Sequence, residues 1–212
     1  MSIFTRSPEK STTTKKAPRG QSFIEAMVAI TVLITAVSSA LALVQSSITA
    51  TRVGGAQIVA ANLAREGLEV VRSLRDTNWL QSQSFQVGLV DGGGAKAARP
   101  LLNLESGIWS VSFASTALTS ANAAVYLTTS GVFAQADAQP TGSTVTPYNR
   151  VLTIDHLCRD ISTGDERVVG GAATCLVSEQ LAGLSITSSV RYRAIGGSYR
   201  TLTIEERLYD WR

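Results

Sequence analysis

A lone carboxylate, Glu25, stands at the head of a segment in which no Asp, Glu, Lys or Arg occurs from Ala26 to Thr51. Holding a charge beside so long an apolar run is costly unless a cation or hydrogen-bond donor meets it. The chemistry open to Glu25 is therefore electrostatic pairing, with a partner from outside the segment. A glutamate near a helix end can also reach headgroup water, but that leaves its neighbours unexplained. Gly20 lies five residues before it and closes a basic stretch rich in Ser, Thr, Lys and Pro. The hexapeptide Gly20-Gln21-Ser22-Phe23-Ile24-Glu25 thus joins a basic leader to an apolar segment.

Other chemistry-bearing residues are few. Cys158 and Cys175 have sixteen residues between them, too many for a CxxC redox or zinc pair. In an exported body they would close that loop as a disulfide worth roughly 3 kcal/mol in the chain-entropy treatment; otherwise they remain two thiols. His156, the chain's one histidine, sits near Asp155, Cys158 and Asp160. Sequence neighbours do not make a triad, and it reads as a loop residue rather than a catalytic base. Asp160, Asp165 and Glu166 match no EF-hand spacing and read as a solvated acidic turn. There is no phosphate-binding loop, GxSxG motif or dinucleotide fingerprint, so we expect no enzyme, cofactor or metal.

The elements that place Glu25 follow from hydropathy and charge. Residues 1–20 hold Arg6, Lys10, Lys15, Lys16 and Arg19 against Glu9, which more than accounts for the formal charge of +3. The rest is close to neutral, so no basic surface for nucleic acid remains, and the basic leader reads as a cytoplasmic orientation signal. From Phe23 to Val44 the chain is apolar on every helical face and long enough to cross a bilayer core of about 30 Å. Gly54-Gly55 offers a place for the helix to loosen. Beyond it, Ala60, Leu63, Ala64, Gly67, Val71 and Leu74 recur at helical spacing, with Arg65, Glu66, Glu69, Arg72 and Arg75 at other positions. After about residue 84 the period shifts to two, with candidate strands at 108–113, 124–128, 150–155, 184–193 and 199–209. The last two form a hairpin across Gly196-Gly197, while 91–99 and 135–147 read as loops.

Taken together, Gly20 ending a basic leader, Glu25 five residues on, and a bilayer-length helix starting at once resemble the N-terminal signal of type IV prepilins and pseudopilins. In that family a membrane aspartyl protease, the prepilin peptidase, cuts after the glycine and methylates the new terminal amine. The resemblance implies a scissile bond at Gly20–Gln21, N-methylation of Gln21, and Phe23 and Glu25 as assembly residues. Glu25 would meet the cationic terminus of a neighbouring subunit. The family usually has Phe where this chain has Gln21. The run Ala61-Asn62-Leu63-Ala64-Arg65-Glu66-Gly67-Leu68-Glu69-Val70-Val71-Arg72, followed by Arg75-Asp76 and Asn78-Trp79, looks like the half-helix of minor prepilins of the pilus-modification group. The ending Leu208-Tyr209-Asp210-Trp211-Arg212 resembles theirs too, and Asn78, Trp79 and Trp211 read as packing residues.

The expected architecture is α+β. A cleaved leader at 1–20 precedes a transmembrane or filament-core helix at 21–53, an amphipathic half-helix at 54–80 and an antiparallel β domain at 81–212. The expected protein is a minor pilin-like structural subunit, held single-pass in the cytoplasmic membrane with the leader inside and the β domain outside, then assembled into a type IV pilus. Its partners would be the prepilin peptidase, other pilin subunits, membrane lipids and the pilus assembly machinery. The alternatives are a pseudopilin of a type II secretion system and an anchored surface binding module that never polymerises.

Overall fold

The computed structural model of this chain describes residues 22–90, 96–113, 117–170, 173–194 and 197–210. Gly20, Gln21, the leader, Gly196 and Trp211 lie outside the described residues. The chain divides into two compact units, Met1–Ser47 and Ile48–Arg212. Helix α1 is assigned from Phe23 to Leu80. It passes through Gly54 and Gly55 without interruption, in open space where a Cβ would meet nothing within 4 Å, so the expected loosening there is not seen.

In the first unit, every described residue of α1 is exposed, Phe23, Ile24, Leu33 and Leu41 among them. In the second unit, α1 buries Ala60, Leu63, Ala64, Gly67, Leu68, Val70, Val71, Arg75, Asn78 and Trp79. The predicted stripe is therefore the packed face, with one correction. Arg75 is buried rather than solvated, because its guanidinium lies 4.5 Å from the Trp79 ring centroid and its Nε donates to Asp76 at 2.9 Å. Stacking on an indole lets a guanidinium lose water without losing favourable electrostatics. Asn78 ties the end of the helix to the following turn, donating to the carbonyls of Phe85 and Val87 at 3.2 and 2.7 Å.

Among the described residues the body is an antiparallel open sheet of eight strands. These are β1 (Lys96–Leu102), β2 (Trp109–Ser112), β3 (Ala124–Leu127), β4 (Phe133–Ala134), β5 (Thr144–Asp160), β6 (Glu166–Val169), β7 (Glu179–Arg193) and β8 (Tyr199–Tyr209). β5 is the central strand. It pairs with β7 from Tyr148↔Tyr192 to Asp160↔Glu179, and its other edge takes β3, β1 and β6 in turn. The segments at 96–99 and 144–147, expected as loops, are strands. Their Ala, Thr and Pro content depressed the local signal, and pairing with β5 or extension of β5 itself supplies what propensity does not.

The hairpin of β7 and β8 carries the alternation its sequence promised. Leu184, Ile186, Val190 and Tyr192 are buried, and Leu208 lies opposite Leu184 while Leu202 lies opposite Val190. Two apolar clusters result. One gathers Leu68, Val71, Trp79, Leu152, Ile154, Leu184, Ile186 and Leu208; the other gathers Ala60, Leu63, Ala64, Val125, Tyr148, Val190 and Tyr192.

Between them lies a polar layer. Arg150 is fully buried on β5, its Nη1 donating to the Leu63 carbonyl at 2.9 Å and to Glu66 at 3.2 Å, its Nε to Gln135 at 2.8 Å. Gln135 is buried as well and donates to the Ala123 and Arg150 carbonyls, both at 2.9 Å. Gly67 sits over this layer, where a Cβ would come within 2.8 Å of Leu152 and 3.1 Å of the Ser188 hydroxyl. Only a residue without a side chain lets the helix lie this close to the sheet.

Candidate functional site

The residues singled out for pairing chemistry open α1. Ser22 precedes the helix, its carbonyl accepting the first helical hydrogen bond from Ala26 at 3.2 Å, and Glu25 is the acidic residue of the first turn. A carboxylate there is favoured by the positive end of the helix dipole and by the unsatisfied amides of the first turn. Phe23 and Glu25 are exposed, and α1 contains a window long and apolar enough to cross a membrane by length and composition.

The same segment ties several of its hydroxyls to its own backbone. The hydroxyl of Thr31 donates to the Met27 carbonyl at 2.8 Å, Thr35 to Thr31 and Val32 at 3.0 and 2.9 Å, and Ser46 to Leu43 at 2.9 Å; Ser39 bonds the Thr35 carbonyl in the same way. A hydroxyl bonded back into its own helix exposes no free donor. Such a surface tolerates an apolar environment far better than its Ser and Thr content suggests.

The second candidate region is the hairpin joined by Cys158 and Cys175. Their sulfurs are bonded, with Cα atoms 5.5 Å apart. Cys158 is fully buried on β5, while Cys175 precedes β7. Around the bridge, Glu179 accepts a bidentate pair from Arg167 at 2.9 and 2.7 Å and the Leu176 amide at 2.9 Å. Glu166 accepts from Arg159 at 2.7 Å and Tyr209 at 2.9 Å. Both carboxyls are held below their ordinary value, each chiefly by its arginine hydrogen bond.

The acidic turn is a self-contained cap. Asp160 accepts from the Ser162 hydroxyl at 2.5 Å and from the Ser162 and Thr163 amides at 2.8 and 2.9 Å, which lowers its carboxyl to about 2. Asp165 takes the Thr163 hydroxyl at 2.8 Å. These carboxylates bond groups of their own loop.

His156 differs from expectation. It lies within β5, buried, with Nε2 unpartnered, and lines a cleft of about 300 Å³ with Gln86, Thr174, Cys175 and Leu181. Alternation along a strand sends Asp155 and His156 to opposite faces, so they do not form an acid–base pair. Cys158 is oxidised and offers no thiolate. Among the described residues, the grouping of metal-ligating types closest together is Cys158, Cys175 and Glu179. Its two sulfurs are spent in the bridge and its carboxylate is held by Arg167.

Sequence reasoning missed Arg99 and Arg150 altogether. Arg99, on β1, is buried and donates to the Asn122 carbonyl at 3.0 Å and to Asp137 at 2.7 Å. A charged residue in a loop-like or strand-edge context carries no local mark of burial. The fold and these sites define an α+β protein with a long N-terminal apolar helix and an antiparallel sheet. No protein-family profile, no curated protein and no solved structure matches the chain.

Proposed function

We propose that this chain is a structural, minor pilin-like subunit, anchored by the apolar part of α1 in the cytoplasmic membrane and later assembled into a type IV pilus. One observation carries the reading: a lone carboxylate, Glu25, in the first turn of an exposed apolar helix in which the hydroxyls of Thr31, Thr35, Ser39 and Ser46 are bonded back to the helix's own carbonyls. Lipid covers such a helix first, and neighbouring helices of the same kind cover it in a filament. A carboxylate inside that bundle needs a cation, and a free terminal amine on the next subunit provides one at a fixed axial offset. Register would then be set by charge, while burial of apolar surface supplies the bulk of the association energy. The β domain faces outward and adjusts what the filament touches.

The prepilin signal makes the proposal testable at one bond. Coexpression with a prepilin peptidase followed by terminal mass analysis is expected to yield a chain beginning at Gln21, with or without an added methyl group. An intact leader, or cleavage beyond the apolar segment, sinks the reading in favour of an anchored module that does not polymerise. A processed chain that assembles only inside the envelope identifies a pseudopilin of a type II secretion system instead.

A further inference from the structure

Past the leader the chain is close to neutral as a whole, but its charges are not evenly placed. Two contacts fix how α1 runs over the sheet: Arg72 bonds Glu206, which stands opposite Ile186, and Gly67 rests over Ser188. Ala60 then joins Val190 and Tyr192 in the second apolar cluster, with Ala56 and Leu202 packed against it. Earlier residues of the helix in the second unit therefore meet the end of β7 and the start of β8. At that end the described residues 48–63, 124–128, 144–149, 188–193 and 197–204 include Arg52, Arg191, Arg193 and Arg200 and not one Asp or Glu.

We propose that this end of the second unit is a docking surface for anionic phospholipid headgroups of the membrane that holds the chain, an inference that rests on the anchored reading given above. The four guanidiniums surround the end. Arg200 stands opposite Tyr192 and shares its helix-facing side, Arg191 and Arg193 alternate onto the other side of β7, and Arg52 lies one turn before Ala56 on the packed stripe. Charges spread around an end suit a plane met end-on, whereas nucleic acid asks for a stripe along one face. The order of the chain points the same way, since Arg52 is the first charged residue after the apolar run that follows Glu25.

The charges are free for such a contact. Arg52, Arg193 and Arg200 are exposed, and among the described residues none of the four makes an ion pair. Arg191 stacks on Tyr199, 3.6 Å from the ring centroid. Stacking occupies the face of a guanidinium and leaves its edge to hold a phosphate through two parallel hydrogen bonds. Tyr199 is itself exposed, an amphipathic ring of the kind that settles at headgroup depth. A surface of negative lipids attracts each of these cations within a Debye length.

The test uses the full chain with its native bridge intact, in nanodiscs of phosphatidylglycerol and phosphatidylcholine in equal parts. Native mass spectrometry then counts the lipids that stay with the protein. About threefold more phosphatidylglycerol than phosphatidylcholine is expected, falling to parity in Arg193→Gln/Arg200→Gln. Arg167→Gln/Arg207→Gln removes the same charge away from this end and is expected to keep the preference. All four positions are exposed, so both variants keep the fold. Equal retention of the two lipids by the unaltered chain, an unchanged preference in Arg193→Gln/Arg200→Gln, or an equal loss in both variants would overturn the proposal. Displacement of the retained phosphatidylglycerol by a short DNA duplex would give the end to nucleic acid and overturn it too. A chain that stays out of the nanodiscs refutes the anchored reading and this proposal with it; one that enters without lipid preference refutes this proposal alone.

Discussion

Arg150 is the residue on which the helix and the sheet of the second unit most visibly depend. Burial pushes its guanidinium down from the ordinary value, and Glu66 opposes that shift. Its hydrogen bonds to Leu63, Glu66 and Gln135 are what make a charge tolerable between two apolar clusters. Arg150→Ala removes one partner from each, and urea unfolding is expected to show a loss of about 3 kcal/mol. Asp160 acts at the other extreme of exposure. Its folded value is depressed, so its contribution is present above the ordinary carboxyl value of 3.8 and is lost as pH falls toward about 2. The Ser162 and Thr163 amide resonances should therefore move together across that window, and Asp160→Asn should abolish the shared movement. Asp155 runs the other way, since burial raises its carboxyl and favours the protonated form.

At the scale of elements, the close approach of α1 to β5 and β7 hinges on Gly67. Gly67→Leu forces a side chain into Leu152 and the Ser188 hydroxyl, and overpacking of this kind costs about 1–3 kcal/mol. A thermal melt should fall while the far-ultraviolet spectrum is kept. An unchanged midpoint would show that the helix rides higher than described. Gly183 plays a comparable part between strands, because a Cβ there would collide with the Leu208 carbonyl oxygen. The helix stripe and the β7–β8 alternation were legible because burial on one face writes its period directly into the sequence. β1, β4 and β6 were not. β4 spans Phe133–Ala134 and β6 spans Glu166–Val169, too short for a period to show, and β1 carries Lys, Arg and Pro. β1 and β6 exist because the long central strand offers them an edge, and β4 because β3 does.

For the molecule as a whole, charge and hydropathy divide the labour. The positive excess belongs to residues 1–20, and the apolar stretch beyond carries one carboxylate before Arg52. If Glu25 sets subunit register, Glu25→Ala should still be processed and held in membranes but enter filaments at least tenfold less well, counted by immunogold labelling. Undiminished incorporation would refute the pairing role while leaving the anchor intact. The chain by itself determined the apolar helix, the isolated carboxylate, the packing stripe and the terminal hairpin, since each is a local pattern of residue types. Tertiary structure alone decided that Arg75, Arg99, Arg150 and His156 are buried, that β5 is the hub of the sheet, and that β8 is left with an open edge. Those are matters of which distant residues meet, and a partner far along the chain can bury a charge or extend a strand without leaving any mark on the residues beside it. Glu25 was conspicuous because its neighbours could not pair with it; Arg150 went unseen because its partners lie on the helix and on the segment after β4.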